Sequence, residues 1–179
     1  NFRRLNSLIK NKTFLNSLIA NVSNTIALSN KKKFNSIILN YDERSLDLFH
    51  WYQQLIAESL GKHRKGILPI ISLLPRDNHS VMQLYLDGFR NNFFTFFYVK
   101  DEIKNKRYDT NFTSTKSKFI KKSLSEIREA KYFATKKVFK KKKIPFRSFY
   151  IKKRNEESLG ELFTFFILET ILLGMAMKI

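Results

Sequence analysis

Residues 53–88 read QQLIAESLGKHRKGILPIISLLPRDNHSVMQLYLDG, and the rest of the chain is organised around them. A helix carrying Gln54 and Glu58 closes at Gly61, a residue suited to ending helices. Gln54 and Glu58 stand four apart, so both side chains can point at one site. The apolar run over residues 66–74 predicts a buried strand, with Pro69 marking its start or a bulge. The loop Arg76-Asp77-Asn78-His79 then opens a short helix over residues 79–86, capped by Asp77 or Asn78. This order puts Glu58 and His79 at the two ends of one strand-centred unit.

Before that unit, residues 2–26 place apolar side chains at helical spacing, with a break near residues 11–13. Residues 34–41 (FNSIILNY) read as a buried strand, and Asp42 is placed to cap the next helix with Glu43 in its first turn. After the unit, residues 93–99 (FFTFFYV) predict a third strand, and residues 100–123 turn polar without periodicity, as a long loop would. A helix follows over residues 124–142. The strand at 144–151 (IPFRSFYI) belongs near a sheet edge, because Pro145 has no N–H to give a ladder.

The last helix, residues 156–177, is apolar almost all round from 162 to 173, except at Glu169. That run is short of the roughly 20 residues a bilayer span needs, so a core or interface helix is expected and no membrane partner. Strands alternating with helices predict an α/β fold, a three-layer α-β-α sandwich with a mainly parallel sheet in a single domain over residues 1–179.

Composition agrees with a folded domain. The 179 residues are 43% hydrophobic and 27% charged, in the range of globular proteins. Cysteine is absent, which excludes disulfides and thiolate metal sites. His50, His63 and His79 lie in separate segments without metal-helix spacing, and a metal centre built from carboxylates has nothing in its favour. The formal net charge of +19 is spread over most segments, with one dense run at residues 136–143. Abundant Asn, Ile, Phe and Lys with scarce Gly is the bias of AT-rich codons; binding of polyanions or anionic sugar phosphates is the alternative. Charge is the only support for nucleic acid as a partner, and none is expected, because the many Phe and Tyr sit in apolar runs and read as core.

The chemistry is thin without further context. Glu58 by itself could be a solvated carboxylate; a catalytic role needs it beside a substrate carbon. His79 follows the carboxyl end of a strand, where open parallel sheets bind ligands, and imidazole titrates in the useful range. Neither a phosphate-cradling glycine loop nor a G-x-S-x-G elbow occurs.

In QQLIAESLGK and LPIISLLPRDNHSVMQLYLDG, then in FFTFF, LSEIREAKYFAT and SLGELFTFFILETILLG, the chain resembles the carboxyl-terminal part of the glucose-6-phosphate isomerase family. The resemblance implies a sugar-isomerase (SIS) domain and the glycolytic conversion of glucose 6-phosphate to fructose 6-phosphate through a cis-enediol. It also implies no metal or cofactor, because the chemistry is internal proton transfer. It makes Glu58 the base that carries the proton between C1 and C2, Gln54 a substrate contact, and His79 the group that assists ring opening. His79 would enter the partner subunit's site in a cytoplasmic homodimer. The family's Ser/Thr-rich phosphate pocket, its Gly-Gly-Arg turn and its closing lysine-bearing segment do not occur in these residues, and Arg76 stands in a loop that reads Pro-Val-Asp-Gln-His in the family. A fragment or a decayed copy of an isomerase, without turnover of its own, is therefore expected, and a non-catalytic phosphosugar-binding or protein-binding domain is the alternative.

Overall fold

The computed structural model describes residues 2–100 and 123–179. Helices α1 (Phe2–Lys10) and α2 (Lys12–Asn30) lead into strand β1 (Asn35–Asn40), then come α3 (Leu46–Leu60), β2 (Leu68–Leu73) and α4 (Asn78–Asp87). Strand β3 (Asn92–Val99), α5 (Leu124–Lys141), β4 (Phe146–Ile151) and α6 (Glu156–Met177) complete the order. The break expected near residues 11–13 is real: Asn11 caps α2, its Oδ1 accepting from the backbone N–H of Thr13 and Phe14. Most of the loop expected at residues 100–123 lies outside the described residues.

The four strands form one parallel sheet in the order β2-β1-β3-β4. Every residue of β3 is buried, as befits a strand with a neighbour on each side and a helical layer on each face. Its alternation divides the core. Phe93, Phe97 and Val99 pack with α2, α3 and α6, while Phe94, Phe96 and Tyr98 pack with α4 and α5. Aromatic edges lock both layers, Phe97 against Phe49 at 4.8 Å and Phe94 against Phe139 at 4.9 Å between ring centres. Each buried Phe contributes about 1.5–3 kcal/mol over an exposed one. The three-layer sandwich anticipated from the strand and helix order is the observed architecture.

The two prolines at the strands, Pro69 and Pro145, sit where the sheet tolerates them. β2 and β4 are the edge strands; Pro69 is the second residue of β2, and Pro145 precedes β4 with its carbonyl accepting from Phe94 N–H at 3.1 Å. Helix α6 is, among the described residues, one helix long and apolar enough by length and composition to cross a bilayer. Here it is a layer helix, with Phe165, Phe166, Glu169 and Leu173 buried.

The expected cap at Asp42 is corrected. A 3-10 turn at Glu43–Ser45 precedes α3, and the Asp42 side chain caps no backbone N–H. Its buried carboxylate accepts from Arg154 Nη2 at 2.6 Å and from the Ser45 hydroxyl. A tertiary cation outcompetes the local helix terminus for that carboxylate, because a buried charge is stabilised by a paired charge.

Candidate active site

Helix α3 returns the chain from the carboxyl end of β1 to the amino end of β2, so its last turns stand at the amino edge of the sheet. Gln53 fixes that approach, its Nε2 donating to the carbonyl of Pro69 at 2.8 Å. One residue on, Gln54 faces solvent with Glu58, and its Nε2 donates to Glu58 Oε1 at 3.0 Å. The four-residue spacing thus brings the two side chains together on one exposed face. Gly61 ends the helix for a steric reason: a Cβ there would stand 2.4 Å from the Ala57 carbonyl oxygen.

His79 lies at the other end of the strand. It is exposed in the first turn of α4, which begins beyond the carboxyl end of β2. Asp77 holds this loop. Its Oδ2 accepts from Leu73 N–H at 2.7 Å and from Ser72 Oγ at 3.3 Å, and its Oδ1 accepts from Arg76 Nε at 3.0 Å. Asp77 is the cap residue, but its side chain is committed to the strand end, and its carbonyl receives Val81 N–H instead. Burial would raise its carboxyl pKa; the bonds from Arg76 and Leu73 outweigh that and hold it below the usual carboxylate range. The six residues of β2 span about 16 Å at the usual rise per residue, so Glu58 and His79 of one chain do not meet.

Two further features escaped the sequence reading, one cleft and one buried polar cluster. At the carboxyl edge a cleft of about 710 Å³ opens between the first turns of α3 and α6, lined by Arg44, Leu48, Trp51, Arg154 and Phe163 among others. None of Gln54, Glu58 and His79 lines it. Beneath the α3 and α6 layer, Arg147 of β4 pairs with Glu169 of α6, donates from Nη2 to Tyr52 Oη at 3.1 Å, and from Nε to Thr95 Oγ1 at 2.9 Å. Burial alone would lower the Arg147 pKa, but the Glu169 carboxylate outweighs it and raises it. Burial first, then Glu169, pushes the Tyr52 hydroxyl up. The signal for this pair was a lone charge in each of two apolar runs, residues 146–151 and 162–173. No group of residues able to hold a metal occurs among the described residues.

Comparison with known proteins gives the site its context. No family model matches the chain. A glucose-6-phosphate isomerase of Methanocaldococcus jannaschii is 38% identical over 93 residues, 52% of this chain and 22% of the relative. A Methanococcus maripaludis protein described as a probable glucose-6-phosphate isomerase is 30% identical over 171 residues, 93% of this chain and 36% of its own length. A hypothetical protein of Thermus thermophilus shares the fold in its crystal structure, with a TM-score of 0.73 at 20% identity over 84% of this chain and 38% of that one. The chain spans well under half the length of these relatives. Over the stretch it shares with the two archaeal relatives, the chain belongs to the glucose-6-phosphate isomerase family.

Proposed function

We propose that this chain is the base-carrying sugar-isomerase unit of a glucose-6-phosphate isomerase, acting on a phosphorylated hexose without metal or cofactor. The observation that carries the reading is the Gln54–Glu58 pair at the solvent-facing end of α3. Glu58 takes the proton from C2 of the open-chain aldose and returns it to C1 of the enediol, and the hydroxyl proton moves from O2 to O1. The Gln54 amide, bonded to one carboxylate oxygen, orients the base and contacts the sugar. His79 assists ring opening.

The opposite placement of Glu58 and His79 supports a site built from two copies, each supplying one of the pair. The relatives are more than twice as long as the matched stretch, and the phosphate-binding and arginine groups such a reaction needs do not occur within it. Glu58→Gln in the full-length isomerase tests the reading. A positioned general base contributes about 10²–10⁴-fold, so kcat falls by about that factor while KM and melting temperature hold. Undiminished kcat in that variant contradicts the assignment.

A further inference from the structure

The sequence spreads its cations over most segments, but the fold gathers many of them at one edge. The turns at residues 31–33, 62–65 and 140–143, with Arg90, lie just before the four strands, and so stand at the sheet's amino edge. Lys178 joins them, since α6 ends against the same edge, where Lys65 Nζ donates to the Met177 carbonyl at 2.8 Å. Twelve Lys and Arg residues share this edge with two carboxylates, Glu58 and Asp87.

One structural explanation is helix polarity, because α2 to α6 all end here and each helix terminus attracts cations. The magnitudes decide against it as a full account. Five termini at about half an elementary charge each, with the two carboxylates, leave about seven positive charges unbalanced.

Backbone conformation singles out the same edge. The non-glycine residues with left-handed φ among the described residues are Lys32, His63, Arg64, Lys143 and Lys178, all at this edge. Glycine is the favoured residue for such positions, and here each carries a cationic or titratable side chain instead. Two large aromatic rings stand exposed amid the cations: Phe34 at 44% and Phe89 at 72% relative exposure. Their segments lead into the adjacent strands β1 and β3 and are tied together, Lys33 Nζ to the Arg90 carbonyl and Asn35 Nδ2 to Asn92 Oδ1 at 2.8 Å.

We propose that the amino edge of the sheet is a binding surface for single-stranded nucleic acid, with the lysine-rich turns along the phosphates and bases stacked on Phe34 and Phe89. Charge alone would suit a sulfated polysaccharide or an anionic membrane equally. Exposed rings interleaved with the cations favour a ligand that has both phosphates and flat apolar faces. The surface flanks the Gln54–Glu58 pair at the same edge but draws its contacts from other residues, so oligouridine binding and isomerase kcat, measured on the same variants, distinguish the two readings.

The test uses the full-length protein with a fluorescent oligouridine and, in parallel, heparin and phosphatidylserine vesicles. About six to eight phosphate contacts give a slope of log affinity against log salt of about −4 to −6. Phe34→Ala with Phe89→Ala lowers oligouridine affinity about tenfold or more and leaves heparin binding unchanged. Lys32→Gly, Arg64→Gly and Lys143→Gly together lower affinity for both polyanions while the protein melts at the same temperature or higher, so lost binding is not lost folding. Oligouridine affinity insensitive to either set overturns the proposal, as does a preference for heparin or vesicles that the phenylalanine changes leave intact.

Discussion

Arg147 of β4 and Glu169 of α6 form an ion pair under the α3 and α6 layer, with Glu169 only 1% exposed and Tyr52 hydrogen-bonded to both partners. Two charges removed from water are costly unless both are paired, and this cluster pairs them and also uses Thr95. Losing one partner strands the other. Glu169→Ala or Arg147→Ala is expected to cost about 3–5 kcal/mol in urea unfolding, whereas Arg147→Met with Glu169→Leu restores most of the loss. A double variant no better than the single ones contradicts a pairing role.

Stability falls in alkali. Burial, and for Tyr150 also the bond to Glu129, pushes the hydroxyls of Tyr41 and Tyr150 up to about 12, and Tyr52 is raised further. A pKa raised in the fold contributes stability that is whole below the ordinary tyrosine value and is lost as pH climbs through the folded one. Melting temperature should therefore decline between about pH 10 and 12. Tyrosine absorbance should show a late fraction that ionises together with unfolding. Full ionisation of all tyrosines near pH 10 in the folded protein contradicts these environments.

Gly61→Ala places a methyl group 2.4 Å from the backbone oxygen of Ala57, which has no flexible chain to yield. The end of α3 must shift, at about 1–3 kcal/mol in chemical unfolding. Because Glu58 rides on the same turn, isomerase kcat in the full-length protein should drop as well. Unchanged stability contradicts the tight closure of this helix.

Elements with a strong local pattern were legible in the sequence. The Phe-rich run of β3 could only be a strand buried on both faces, and Pro145 correctly placed β4 at an edge. The Gln54–Glu58 spacing put both side chains on one face, where the structure joins them by a hydrogen bond. What escaped depends on partners distant in the chain. Asp42 resembles a helix cap until Arg154, 112 residues later, reaches it. Glu169 reads as an interruption of an apolar helix until Arg147 faces it across the layer. The cationic edge is invisible for the same reason, since only the topology brings separate turns together.

In the proposed reaction Glu58 and His79 act from two copies of the chain. Glu58→Gln and His79→Asn variants of the full-length protein, each inactive alone, are unfolded together, refolded and assayed for isomerase activity. In a two-fold dimer about half of the products are mixed, and each mixed dimer holds one site with both intact residues, so about a quarter of the unmutated activity should return. Activity that stays at the level of the separate variants contradicts a site shared between copies.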